Sequence, residues 1–241
     1  HPMEPFSILL IIFSVALGAF LQGAVGLGLN LLAAPLLMLV EPRFVPGPVM
    51  AGALLLTILM VLRDREGIDL RGVGWMAAGM LPGSAIASLL LPVIPLKALS
   101  LTLGGLVLAA VALNLSGLRF PPKRWVLFLA GMLSGLGGTL ASIGAPPVAL
   151  VNQEKEGKAL RATLSGYFIL SAAVVILGML PAGRFGTPEL ELSLWMIPGI
   201  LLGFWISKYF ANRLSQRATR AAVLGLSALA AMILIIQQIG R

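Results

Sequence analysis

Eight apolar runs fill most of the chain, and short connections that contain most of the charged residues separate them. A helical membrane crossing takes about 20 consecutive apolar residues, and six of the runs are suited to a single crossing. The runs cover residues 6–40, 44–62, 73–94, 96–118, 125–151, 162–180, 192–207 and 221–239. This pattern predicts an all-α polytopic membrane protein.

Two runs, residues 6–40 and 125–151, are longer than the others. As one straight helix the first would extend about 52 Å, well beyond a hydrocarbon core of about 30 Å. Each is rich in glycine near its middle, in residues 22–30 and 135–144, where glycine favours interruption of a helix. We therefore predict two re-entrant hairpins with arms of about 12 to 17 residues, whose glycine-rich tips meet near the membrane midplane.

The two glycine-rich segments also align with each other at an offset of 112 residues. The matched pairs are Gly23 with Gly135, Gly26 with Gly138, Asn30 with Ser142, and Pro35 with Pro147. The similarity continues with small insertions, and residues 80–83 match residues 196–199 at an offset of 116. The order of these matches predicts a duplication, with one repeat over residues 3–118 and a second over residues 119–241.

The distribution of Lys and Arg favours the hairpins. If every run crossed the membrane once, the 17 basic residues would divide 8 to 9 between its two sides. If both long runs enter and leave on one side, 13 basic residues lie together, and Arg43, Lys97, Arg184 and Arg241 lie opposite. Because cytoplasmic loops are enriched in Lys and Arg, the hairpin topology is favoured.

With hairpins, each half contains one hairpin and three transmembrane helices. Three crossings are an odd number, so the second half is predicted to be inverted relative to the first, a plan shared by many secondary transporters. Both chain termini are then predicted to face the exterior. Eight conventional crossings with kinked long helices remain the alternative topology.

The composition excludes several classes of protein. Apolar residues make up 59% of the chain and charged residues 11%, against about 25% charged in soluble domains, so a soluble domain is excluded. The chain has no cysteine, its only histidine is His1, and no acidic residue lies deep within an apolar run. We therefore expect no enzyme activity, no metal site and no cofactor. The net charge of +8 is attributed to membrane orientation rather than to nucleic acid binding.

Other patterns have a structural interpretation. Glycines four positions apart, at residues 79 and 83 and at residues 199 and 203, indicate close packing of helices. Arg43 and Arg161 begin their segments and are interpreted as groups that set orientation or snorkel to the interface, with guidance of anions inward as the alternative.

Polar residues at the two tips suit a small anion. Asn30, Thr139 and Ser142 are types that cap helix N-termini, where free N–H groups and the helix dipole can hold an anion without a buried cation. The predicted substrate site comprises Gln22, Gly23, Gly26, Gly28, Asn30, Gly135, Gly138, Thr139, Ser142 and Gly144. The prolines expected to shape the returning arms are Pro35 and Pro147.

The two glycine-rich tips, the Pro-Gly pairs in the third and seventh runs and the length of the chain resemble the TauE/SafE family of sulfite exporters. The resemblance spans essentially the whole chain. The family signature falls on Gly23, Gly26, Gly28 and Pro35, and its second copy on Gly135, Gly138, Gly144 and Pro147. The resemblance implies transport of small sulfur-containing anions such as sulfite, sulfoacetate or other organosulfonates, often outward across a bacterial inner membrane.

These features together predict a secondary transporter that works by alternating access, with a small anion and the lipid bilayer as its partners. The second tip has Ser142 where the first has Asn30, so the two half-sites need not bind alike. The alternatives are an anion channel, whose flux would not saturate, and a non-transporting membrane assembly partner. The sequence does not assign the exact substrate, the direction of transport, a coupling ion or an oligomeric state.

Overall fold

The structure is a computed structural model that describes residues 5–118, 120–155, 157–181, 183–210 and 216–240. Arg119, Arg213 and Arg241, which enter the charge count, lie outside these residues, as do residues 1–4. The described residues form helices and no strand, so the predicted all-α fold is confirmed. The α-helices are α1 (Pro5–Val25), α2 (Leu29–Val40), α3 (Gly47–Arg63), α4 (Leu70–Leu90), α5 (Leu96–Leu115), α6 (Arg124–Ala141), α7 (Ala145–Val151), α8 (Gly157–Met179), α9 (Thr187–Leu194), α10 (Ile197–Phe210) and α11 (Gln216–Ile239). Short 3-10 helices, Pro42–Phe44 and Leu91–Val93, follow α2 and α4.

Several of these helices are long and apolar enough to cross a membrane. In the described part of the chain, six helices are long and apolar enough on their own. They are α1, α4, α5, α6, α8 and α11. Helices α9 and α10 meet at a bend of 45° and together form a seventh candidate crossing. Helices α2 and α3 are apolar but have only 12 and 17 residues. The chain is therefore a multi-pass membrane protein, as its apolar runs predict.

Both long apolar runs are interrupted within their glycine-rich segments. The first break, at residues 26–28, joins α1 to α2, and the second, at residues 142–144, joins α6 to α7. Gly26 and Gly28 have φ angles of +91° and +149°, which only glycine adopts without strain. Ser142 has a φ of +59° at the second break. The predicted interruption of both runs is confirmed.

After each break the chain folds back, so that the next helix begins beside the one before it. A Cβ on Gly18 of α1 would lie 3.1 Å from the Cα of Leu29, the first residue of α2. A Cβ on Gly144 would lie 2.6 Å from the hydroxyl oxygen of Ser134 in α6. Glycine permits both close approaches because it has no side chain. The re-entrant path of these two helix pairs through a membrane stays a prediction.

The arms differ in length from the prediction of about 12 to 17 residues. Helices α1 and α2 have 21 and 12 residues, and α6 and α7 have 18 and 7. The first helix of each pair continues through Gly23 or through Gly135 and Gly138, because one glycine inside a helix costs only about 1 kcal/mol. The helix ends only where the backbone takes a positive φ, at Gly26 and at Ser142. As a result α1 and α6 can each cross a membrane alone.

The predicted seventh run, residues 192–207, is also not one straight helix. The bend between α9 and α10 comes just before Pro198, which lies in the first turn of α10. Proline has no N–H and disfavours helical backbone at the preceding residue, so a helix tends to restart there. The matching Pro82 lies inside the continuous helix α4. The same Pro-Gly pair therefore shapes the two halves differently.

The spaced glycines pack helices closely, as expected. A Cβ on Gly79 or Gly83 of α4 would overlap backbone carbonyls of α6. A Cβ on Gly199 or Gly203 of α10 would likewise overlap backbone carbonyls of α1. These contacts bring the helix backbones together in the way that small residues four apart allow.

The two halves have the same order of elements. A broken helix pair comes first in each, α1 with α2 and α6 with α7, followed by α3, α4 and α5 or by α8, the bent pair of α9 and α10, and α11. Equivalent helices of the two halves also make equivalent contacts. Helix α4 of the first half packs on α6 of the second, and α10 of the second half packs on α1 of the first. The equivalent helices α3 and α8 pack on each other, as do α5 and α11. This order is compatible with two repeats over residues 3–118 and 119–241, and their inversion stays a prediction.

Candidate functional site

A small cavity lies where the two breaks approach helices α3 and α8. Its volume is about 30 Å³, and a single water needs about 10 to 15 Å³ of such space. The cavity therefore has room for only a few non-hydrogen atoms. The residues that line it are Gln22, Gly28, Asn30, Met50, Ala53, Thr57, Gly144, Ala145, Phe168, Ser171 and Ala172.

The first break presents a helix N-terminus to this cavity. Gly28 caps α2 and has no side chain to accept a hydrogen bond, and instead the Leu29 N–H donates to Oε1 of Gln22 at 3.0 Å. The first hydrogen bond of α2 runs from the Leu32 N–H to the Gly28 carbonyl at 3.0 Å, so the N–H groups of the two residues between Leu29 and Leu32 have no partner within the helix. They include the N–H of Asn30, whose side chain lines the cavity. The positive end of the α2 dipole is thus directed at this space.

The Asn30 side chain makes only a weak hydrogen bond to the described part of the protein. Its Nδ2 lies 3.9 Å from Sδ of Met50, and a thioether is a weak acceptor. Its Oδ1 is buried and has no hydrogen-bond partner among the described residues. Since buried amide groups are normally hydrogen-bonded, this side chain is available to a ligand in the cavity.

The second break contributes less to the cavity than the first. Gly144 and Ala145 line it at the start of α7. The next two residues of α7 are Pro146 and Pro147, which have no N–H to donate. The two half-sites are therefore unequal, and the donors come mainly from the first break.

The side walls of the cavity are two helices whose role the sequence analysis did not identify. Helix α3 supplies Met50, Ala53 and Thr57, and α8 supplies Phe168, Ser171 and Ala172. One signal for them exists in the sequence. Thr57 and Ser171 are hydroxyl residues inside apolar runs, and their offset of 114 lies between the repeat offsets of 112 and 116.

Further hydroxyl groups lie behind the α8 wall. Tyr167 is fully buried, and its hydroxyl has Ser134 and Ser171 as polar neighbours. The hydroxyls of Tyr167 and Ser134 have no well-formed hydrogen bond among the described residues. Ser134 in turn lies next to Gly144, so this cluster adjoins the cavity at the second break.

Of the ten predicted substrate residues, four line the cavity: Gln22, Gly28, Asn30 and Gly144. The structure places the other four residues of the second tip against protein. Thr139 donates from its hydroxyl to Ser84 Oγ at 3.1 Å, and Ser142 donates to the Pro46 carbonyl at 2.9 Å. Gly135 packs on the α4 backbone, and a Cβ on Gly138 would lie 3.5 Å from Val175. Pro35 lies inside α2 and Pro147 in the first turn of α7, after the breaks rather than at them.

The other two predicted residues, Gly23 and Gly26, adjoin a charge cluster in which Asp64 and Arg161 are buried and Arg63 is partly exposed. Arg161 is 2% exposed, and its Nε donates to Oδ2 of Asp64 at 2.9 Å. Arg63 donates from Nη2 to the same oxygen at 2.8 Å. The interpretation of Arg161 as a snorkelling group is therefore wrong, since its guanidinium is enclosed by the bundle. Its partner Asp64 is 97 residues away in the chain, so local sequence could not reveal the pair.

The cluster supports the first break directly. Arg63 donates from Nη2 to the Gly23 carbonyl at 2.7 Å, and a Cβ on Gly26 would lie 3.4 Å from Cα of Arg161. Burial alone would raise the pKa of the Asp64 carboxyl, but the hydrogen bonds and charges of Arg161 and Arg63 hold that pKa below its ordinary value. With Asp64 ionised, two arginines share one carboxylate, which leaves the cluster with one positive charge in excess.

An apolar helical bundle with two broken helix pairs around a small cavity that contains a few polar groups is a plan shared by many membrane transporters. The family model described as Sulfite exporter TauE/SafE matches residues 10–234, and the chain belongs to this family. The match confirms the family to which its glycine-rich segments are similar. The family consists of membrane transporters for small anions rather than enzymes. No curated protein and no solved structure matches the chain.

Proposed function

We propose that the chain is a secondary transporter that exports small sulfur-containing anions, such as sulfite or sulfoacetate, and holds one anion in the cavity between the two breaks, which must widen to admit sulfoacetate. The observation that carries this proposal is that the α2 N-terminus and the weakly hydrogen-bonded Asn30 side chain both lie at one cavity. Backbone N–H groups and a helix dipole are suited to a negative ligand.

The ligand would be held mainly by the first break. The Asn30 amide can rotate about its last torsion and present Nδ2 to an anion, because its present contact with Met50 is weak. Thr57 donates its hydroxyl hydrogen to the Ala53 carbonyl, so we assign the contact with the anion to Ser171 on the other wall. The apolar lining of Met50, Ala53 and Ala172 would exclude water and strengthen these few polar contacts.

Export needs no coupling ion under this proposal. A monoanion that leaves a cell with a negative interior gains about 2.3 kcal/mol for each 100 mV of membrane potential. The hydrogen-bonding groups that line the cavity carry no charge, so an anion is bound without a counter-ion that must travel with it. The proposal places the protein in the inner membrane, with inverted repeats and with both termini on the exterior.

Flux measurements with the purified chain in liposomes test this function. Efflux of labelled sulfite should saturate as the internal sulfite concentration rises, and unlabelled sulfite or sulfoacetate on the far side should accelerate exchange. A rate that rises linearly without saturation would identify a channel instead. No movement of either anion, from protein that is correctly folded, would favour a non-transporting assembly partner.

A further inference from the structure

The buried Arg161 has more hydrogen-bond donors than the protein uses. It is 2% exposed, and its only described hydrogen bond runs from Nε to Asp64. Its Nη1 is buried and has no partner among the described residues. A guanidinium has five N–H donors, and a buried donor without an acceptor is costly. Arg161 can therefore donate a hydrogen bond from Nη1 to a further acceptor.

The surroundings of Arg161 carry an excess of positive charge. Arg63 and Arg161 share the single carboxylate of Asp64. An uncompensated buried cation is unfavourable, and an anion would relieve it.

The charge cluster lies close to the proposed substrate cavity. Along α3, Arg63 follows the cavity residue Thr57 by six positions, about 9 Å of helix, and along α8 Arg161 precedes Phe168 by seven, about 10 Å. Gly26 lies against Arg161, and Gly28 lines the cavity two residues later. The first break thus separates the cavity from the arginines. An anion moving along α3 and α8 toward the end of the bundle that contains Asp64 would reach them next.

We propose that Arg161 and Arg63 form a second binding site for the transported oxyanion, and that Asp64 occupies this site while no anion is present. This inference rests on the proposed function. Guanidinium groups bind oxyanions such as sulfite and sulfonates through paired N–H donors, as they bind the Asp64 carboxylate. Arg63 also holds the Gly23 carbonyl, so an anion at this site competes for a cation that supports the first break.

Equilibrium binding of labelled sulfite to the full chain in lipid nanodiscs tests the second site. The wild type should bind two sulfite ions per chain with different affinities. Arg161→Gln and Asn30→Ala should each leave one. Asp64→Asn should tighten the site that Arg161→Gln removes by about tenfold or more, because an ionised competitor with charge-assisted hydrogen bonds is removed. Arg43→Gln is the matched control, since Arg43 is an exposed arginine paired with Glu41, and it should retain both sites.

The outcomes separate this inference from the proposed function. Wild-type stoichiometry and affinity in both Arg161→Gln and Asp64→Asn would overturn the second site, whatever happens to flux. If Arg161→Gln does not fold, an unchanged affinity in Asp64→Asn overturns the second site by itself. Binding at the arginines without any flux in liposomes would overturn the proposed function and leave the site intact. A wild type that binds no sulfite overturns both.

Discussion

The backbone conformation of Gly26 leads to a quantitative stability prediction for the first break. Its φ is +91°, and a Cβ there would meet Arg161 and Leu164 at 3.4 Å, an ordinary contact distance. The cost of Gly26→Ala therefore comes from the backbone rather than from overlap. Left-handed backbone costs an L-residue about 1 to 2 kcal/mol, and lower entropy of the unfolded chain offsets about 0.4 to 1 kcal/mol of this. We expect the free energy of unfolding to fall by about 1 kcal/mol.

Gly225→Ala is the matched control for this substitution. Gly225 lies inside α11 with no atom within 4 Å of an added Cβ, and alanine is favoured over glycine inside a helix by about 1 kcal/mol. The two variants should thus shift stability in opposite directions, with Gly26→Ala less stable and Gly225→Ala more stable than wild type. Reversible unfolding of the purified protein in mixed micelles measures both. Equal shifts of the same sign would refute the conformational argument.

Three other predictions concern packing, the cavity wall and topology. Gly79→Leu should abolish the yield of folded protein, because its side chain would overlap the α6 backbone. Gly105→Leu has open space at its Cβ and should purify at wild-type yield, so equal yields of the two variants would contradict the packing. Ser171→Ala removes one cavity hydroxyl and should slow sulfite flux about tenfold, and an unchanged rate argues against its contact with the anion. Single cysteines placed at Arg43 and Lys158 of this cysteine-free chain should react with an impermeant maleimide from opposite sides, and labelling from one side would exclude the hairpin topology.

Features that depend on neighbouring residues were predicted well from the sequence. Helix interruption is such a feature, and the glycines around Gly26 marked the first break because backbone with positive φ needs glycine locally. Prediction from the sequence fails where identical local sequences pack against different neighbours. Pro82 is held within a continuous α4, whereas Pro198 begins α10 after a bend, and the two dipeptides are identical in sequence. Packing against neighbouring helices decides between these outcomes.

The candidate site was predicted in part, for the same physical reason. Gln22 and Asn30 flank the first break in sequence, so they could be placed beside it from the glycine pattern alone. The α3 and α8 walls and the pairing of Asp64 with Arg161 depend on contacts between distant segments. An arginine at the start of an apolar run is usually exposed, and only the fold shows that a carboxylate lies within the bundle to receive it.

Thermal stabilisation by sulfite tests most directly whether the cavity between the breaks binds the anion. A ligand that binds only the folded state at a concentration of 100 Kd adds about 2.7 kcal/mol to its stability. Sulfite should therefore raise the Tm of the wild type and of Asn114→Ala, a control outside the cavity lining, and raise that of Asn30→Ala less, because only the arginine site would remain there. A sulfite-dependent rise in Tm as large in Asn30→Ala as in the wild type would contradict the cavity as the anion site.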